Sequence, residues 1–289
     1  MTQKLSRRSA LGLMGATAAG AVLPGQMALG AGGVTKVPDL ADAATLSSAF
    51  RKTAYSMDEK VYFWWLRGTR FGVVDAEATP FWDMYVGTWF TTKDLGEGDY
   101  EVTMAGANFY TPPGSTELLE SFQNPYTGET VPVSYRAPKP WKTVMGPEGG
   151  AAFAPDMPGM KMTRSTAAGP GWIEGDDVVI RGDMLVYAEP LDPDSDKKAF
   201  RVNDWSTYVA KLSDVADPAV KSAPCVQYFT DILTWPKWLN MGDQPGSYVS
   251  RCFGRKVASV EEMPATWRKL FAQALPEAAK DPVSLLQGA

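Results

Sequence analysis

Between residues 61 and 110 the chain runs through three stretches rich in aromatic and β-branched residues: 61–74, 82–94 and 100–110. Such stretches favour extended backbone, because branched and ring side chains pack well on a pleated surface. In the third, Tyr100, Val102 and Met104 alternate with Glu101, Thr103 and Ala105, the period of two of a half-buried strand. The joint Gly96-Glu97-Gly98-Asp99 is short enough to fold the last two stretches into a hairpin. Further strand-like runs occupy 130–136, 178–190, 199–212 and 247–257, and a load of 27 Gly and 22 Pro supplies the turns. Many short antiparallel strands in one chain require either a curled sheet or a barrel-like closure.

Helical signals lie near the two ends of this region. Residues 42–52 suit one short helix. Near the C-terminus, Ser259 to Glu262 fits a capping box and Pro264 opens a turn. Trp267, Leu270, Phe271 and Ala274 then fall on one helical face. Residues 138–172 are rich in Pro, Gly and Met with little period, which reads as a lid or a loose excursion. The expectation is a mainly β, antiparallel curled sheet or barrel-like single domain over 42–289 with a C-terminal helix.

The first thirty residues read as an address. Arg7 and Arg8 form a twin arginine, a Gly/Ala/Leu run follows, and Ala28-Leu29-Gly30 offers small residues for cleavage. The pattern resembles a twin-arginine export signal, with the Tat translocase as partner and residues 31–41 as a linker. No later segment has the ~18–20 continuous apolar residues of a spanning helix, so the mature chain is expected to be soluble, without a stable membrane span, and periplasmic or secreted. Export would place Cys225 and Cys252 in an oxidising compartment, where they form either a disulfide or two separate buried thiols.

Composition narrows the chemistry. The chain contains no histidine, which removes Ser-His-Asp and Cys-His catalysis and histidine-ligated metals and haem. The net charge is −5, and without Lys4, Arg7 and Arg8 the remainder carries 25 basic against 33 acidic groups. So acidic a body argues against nucleic acid as a partner. Asp192, Asp194 and Asp196 open like a calcium loop, but Lys197 and Asn203 stand where the loop formula needs Gly and Glu. No metal and no cofactor is expected.

Proton transfer must then use Asp, Glu, Tyr, Lys or Cys. Phe63, Trp65 and Arg67 share one strand face, where Arg67 would serve as an anion clamp or a structural ion pair. Asp204, beside the indole of Trp205, is a candidate acid or base if it does not cap a turn, and Tyr62 is a second proton carrier. Trp235, Trp238 and Met241 surround the rigid Pro236 in a loop, where they either plug a core or, with Trp65 and Tyr126, line an aromatic pocket. The resulting expectation is a pocket for a small apolar or aromatic metabolite, enzymatic through Arg67, Asp204 and Tyr62, or else a non-catalytic carrier.

Several strings together carry a resemblance. They are Tyr62 to Thr69, Asn124-Pro125-Tyr126-Thr127-Gly128-Glu129, Asn203-Asp204-Trp205-Ser206, and above all Trp235-Pro236-Lys237-Trp238-Leu239-Asn240-Met241-Gly242. With the twin-arginine leader, the chain resembles the DUF1838 family of bacterial proteins over residues 40–280. The resemblance implies one full-length domain, and no activity, cofactor or catalytic residue.

Overall fold

The computed structural model describes residues 37–146, 151–153, 159–195 and 197–288. The expected export signal, most of the linker and Asp196 lie outside them. The first helix, α1 (Ala43–Ala54), begins where Asp42 accepts hydrogen bonds from the Thr45 N–H and hydroxyl, at 2.8 and 2.7 Å. Leu40, expected in the linker, is buried against its cluster.

Ten strands form one antiparallel sheet. In chain order they are β1 (Tyr62–Val74), β2 (Glu77–Gly96), β3 (Asp99–Thr111), β6 (Trp141–Met145), β7 (Ala151–Phe153), β8 (Met160–Glu174), β9 (Asp177–Pro190), β10 (Phe200–Lys211), β11 (Cys225–Leu233) and β12 (Ser247–Val257). β4 (Ser121–Gln123) and β5 (Thr130–Pro132) make a separate hairpin between β3 and β6. The order across the sheet is β7-β6-β3-β2-β1-β12-β11-β10-β9-β8. Two meanders, one from each half of the chain, are thus joined along β1 and β12, from Phe63 opposite Val257 to Val73 opposite Ser247.

The sheet curls into a half-barrel, and its hairpins are tight. Asp75 and Ala76 both take positive φ in the two-residue turn between β1 and β2, the geometry that matches strand twist. Gly96 to Asp99 closes the expected β2–β3 hairpin with a bulge beside Asp94. The excursion expected at 138–172 is instead β6, β7 and β8, the two borders of the sheet. Its period was hidden by Gly and Pro, which border strands tolerate, and by a bulge between Ala168 and Gly171.

Each face has its own cover. Outside, α3 (Ala265–Ala274) lays Trp267, Leu270 and Phe271 on Phe63, Tyr85, Trp89, Ala105, Ala107 and Phe109. Gly87 permits this contact, since the Trp267 indole occupies the space a Cβ there would need. Two short helices, α2 (Leu212–Ala216) and α4 (Pro276–Lys280), follow β10 and α3. On the concave side α1 fills one end, packing Phe50 and Ala54 with Trp64, Phe90, Tyr100 and Ile180. Two lysine amines tie the C-terminal end of α1 to β12 and to α2. Lys256 donates to the carbonyls of Lys52, Thr53 and Tyr55 at 2.9, 2.6 and 2.7 Å, and Lys52 to those of Val215 and Asp217 at 2.9 and 2.5 Å. The β4–β5 hairpin and the loop through Leu239 and Met241 fill the other end, around Phe81, Trp82 and Tyr248.

Cys225 and Cys252 are free and buried. Cys252 faces Phe229, four positions along β11 from Cys225, about 13 Å at the rise of a strand and beyond disulfide reach. Among the described residues no helix is long and apolar enough to cross a membrane.

Candidate functional site

Between the two plugs the concave face keeps a cavity of about 350 Å³. Its walls are largely apolar: Phe50, Tyr55, Trp64, Phe90, Trp141 and Phe229, with Met84, Met104, Met145 and Met184. Its polar groups include Arg70 on β1, Asn108 on β3, Asp183 on β9, Asp204, Ser206 and Tyr208 on β10, and Gln227 and Asp231 on β11. Alternation explains the set. Residues 64, 66 and 70 of β1 and 204, 206 and 208 of β10 project to the concave side, while their odd-numbered neighbours project away.

The charged centre is built from three strands. Arg70 Nη1 donates to Asp231 Oδ1 at 2.5 Å, and both side chains are more than nine-tenths buried. The same oxygen accepts the backbone N–H and the hydroxyl of Ser250 at 2.8 and 2.6 Å. Arg70 also lies over the Tyr248 ring, 4.1 Å from its centroid, while its Nε has no partner. Three donors thus converge on one Asp231 oxygen, the charge-assisted contacts that a buried carboxylate needs.

Asp204 sits directly opposite Asp231 in the β10–β11 register, so the two carboxyl groups share one face. Burial pushes Asp204 up to about 7, the nearby charge of Asp231 adds to the rise, and Arg70 opposes it. Beside it, Gln227 Nε2 donates to Ser206 Oγ at 2.9 Å and to the Tyr208 hydroxyl at 3.4 Å. Burial raises Tyr208 beyond the range in which it could lose its proton, and Tyr55 to about 12. Asp204 therefore holds an exchangeable proton near neutrality, next to a fixed anion and in an apolar chamber. That is the equipment of a general acid or base.

The residues expected from sequence divide three ways. Asp204 lines the cavity. Its neighbour Trp205 does not; it is 45% exposed on the opposite face, so burial and Asp231, not the indole, raise the carboxyl. Trp65 and Arg67 correct the choice of face. They point outward, where Trp65 meets Phe253 and the Arg67 guanidinium lies 5.1 Å from the Tyr85 centroid, and Arg70 is the cavity's arginine. The period of two separates the faces without saying which is concave, and α3 makes the outer one aromatic as well.

Tyr62 stands off the cavity wall, with its hydroxyl donating to Asp58 at 3.3 Å; burial and that carboxylate push it to about 12. Tyr126, Trp235, Trp238 and Met241 belong to the plug. Tyr126 donates to the Gly72 carbonyl at 3.0 Å, Trp235 to that of Gln244 at 3.0 Å, and Trp238 lies 5.5 Å from Trp82. Asn124 reaches the Leu239 carbonyl at 2.9 Å and the Met241 sulfur at 3.1 Å, locking the 124–129 turn to that loop.

Arg70, Asp231, Ser250 and Gln227 were missing from the sequence reading. The signal for Asp231 is an acid inside the run of residues 225–233, a strand without the alternation that marks the others. In the acidic turn, Asp192 Oδ1 accepts the Asp194 N–H at 3.0 Å, an ordinary Asx turn.

No curated protein and no solved structure matches the chain. A family model does, over residues 58–289, including every strand of the sheet and the whole charged centre; it is described as a protein of unknown function, DUF1838. The match spans most of the sequence, and the chain belongs to the DUF1838 family.

Proposed function

We propose that this protein is an enzyme that moves a proton on a small, neutral, largely apolar or aromatic metabolite. Asp204 would carry the proton in a lyase, isomerase or hydrolase reaction. The observation behind the reading is the cross-strand pair of Asp204 and Asp231, the latter bound to Arg70, inside an otherwise apolar cavity. With a pKa near the working pH, Asp204 can give a proton to a leaving or carbonyl oxygen, or take one from carbon. Among the described lining residues Arg70 is the only cation and it already neutralises Asp231, which favours a neutral ligand over an anionic one. A volume of about 350 Å³ suits a compact molecule of one or two rings. The twin arginine supports a second element of the proposal, export through the Tat pathway to the periplasm.

The four methionines of the wall favour a second reading, a carrier that holds such a molecule without reacting, since Met adapts to varied apolar shapes. One experiment separates the two. Wild type and Asp204→Asn are purified from the periplasm of their own host and their small molecules identified by native mass spectrometry. An enzyme should retain substrate in the variant, and product or nothing in the wild type. The same compound at the same occupancy in both would defeat the enzymatic reading.

A further inference from the structure

The outer face of the sheet is covered by α3 only over β1 to β3. Beyond that cover, Phe253 on β12, Tyr228 on β11 and Trp205 on β10 stand 37%, 54% and 45% exposed. Tyr228 is the register partner of Phe253, and their ring centroids are 5.5 Å apart; Trp65 abuts Phe253 from β1 at 6.1 Å. Trp205 pairs with Thr230, two positions from Tyr228 on the same side of β11. The four rings thus form a diagonal track across four adjacent strands.

Cations border the track. Arg67 is the partner of Phe253 across β1, and Arg251 and Arg255 lie two residues either side of Phe253 on the same face. All three are exposed, and none forms an ion pair with a described residue. Two acids near the track share this face: Asp83, opposite Thr69 and two strands from Arg251, accepts the Thr69 hydroxyl at 3.1 Å and the Gly114 N–H at 2.9 Å, and Asp183, opposite Trp205, is bound by Arg181 at 2.7 Å. All three bordering cations are arginine, although lysine is the commoner cation in the chain.

We propose that this arginine-bordered aromatic track is a docking surface for an acidic segment of another protein. Exposed Tyr, Trp, Phe and Arg with Lys depleted is the composition of protein–protein contact centres. Arginine offers the planar fork that grips carboxylates in pairs. A positive patch without ion pairs among the described residues, on a chain of net charge −5, is complementary to acidic segments. A second copy meeting it through the same patch is disfavoured, because that would bring three arginines against three. A bilayer is disfavoured too, since these rings lie half-sunk in a sheet, whereas interfacial anchoring buries apolar groups by about 5–10 Å. Four strands at about 4.8 Å spacing give a face of a few hundred Å², the size of a transient contact.

The test uses the full mature chain and a random copolymer of glutamate and tyrosine, with a lysine–tyrosine copolymer as control. Binding is read by fluorescence anisotropy at 50 and 300 mM NaCl. The acidic copolymer should bind at low salt, weaken at least tenfold at high salt, and weaken at least tenfold when Arg67→Gln, Arg251→Gln and Arg255→Gln are combined. Tyr228→Ser should weaken it several-fold, and both variants should melt within a few degrees of wild type. Equal binding of the lysine copolymer, no binding of the acidic one, or binding indifferent to the triple substitution would overturn the proposal. So would Arg-dependent sedimentation with phosphatidylglycerol vesicles in place of copolymer binding.

Discussion

Replacing Asp204 with asparagine should make the protein more stable at neutral and alkaline pH, and the gain should vanish in acid. In the folded chain burial and Asp231 raise this carboxyl from 3.8 to about 7, so the native state binds its proton more tightly than the unfolded state does. As pH rises from about 4, the unfolded carboxyl ionises freely while the folded one cannot, and stability is lost until the folded group ionises near 7. The shift is about three pH units, and at about 1.4 kcal/mol per unit its ceiling is roughly 4 kcal/mol. Asp204 keeps part of its surface in solvent, and screening brings the expected effect to about 2 kcal/mol. Asparagine keeps the shape and cannot ionise, and its amide can donate to Asp231. Urea unfolding of both proteins at pH 3, 4.5, 6, 7.5 and 8.5 should show a stability difference that is smallest at the acid end, grows between about pH 4 and 7, and levels off at about 2 kcal/mol above pH 7. Parallel pH profiles for the two proteins would refute this account of the site's electrostatics, whatever the catalytic outcome.

Other perturbations probe the frame. Arg70→Met leaves the Asp231 anion buried without its partner and should cost about 3–5 kcal/mol in chemical denaturation; adding Asp231→Leu should recover part of that, and a double variant no better than the single one would deny the pairing its role. Gly87→Val drives a side chain into the space of the Trp267 indole and should cost about 1–3 kcal/mol, seen as a fall of a few degrees or more in Tm; an unchanged Tm would mean that α3 does not depend on this contact. Replacing Arg7 and Arg8 with lysine should leave precursor in the cytoplasm, and full periplasmic yield would rule out the twin-arginine route.

Much of the sheet was legible from sequence, because alternation and Gly-rich joints are local signals. β1, the β2–β3 hairpin, β9, β10, β12 and the apolar face of α3 all announce themselves within ten or twenty residues. What escaped notice depends on distance. The concave side of β1 is set by α1 and by the loop around Leu239, which lie elsewhere in the chain, so Trp65 and Arg67 looked as eligible as Trp64 and Arg70. Asp204 stands out in the sequence as an acid beside an indole, but its partner across the ladder does not, since β11 lacks a clean period of two around Asp231. The loop containing Trp235 and Trp238 was recognised as dense in aromatics, and only the packing of Phe81, Trp82 and Tyr248 against it distinguishes a plug from a ligand wall.

The seam between β1 and β12 turns the chain inside out. Sequence-distant segments form the middle of the sheet, and the middle of the chain supplies both borders. Shortening the protein from either end of the sheet region would therefore remove its centre and leave only flanks. Arg70 lies on one side of the seam, with Asp231 and Asp204 on the other. The charge centre exists only once two strands more than 170 residues apart in sequence have met. Such non-local pairing is slow to form and costly in loop entropy. A chain cut between β7 and β8 would yield two five-stranded meanders, one holding the cation and the other both acids. In neither fragment would the charges meet, so the ion pair and the enclosed chamber around Asp204 are properties of the joined sheet alone.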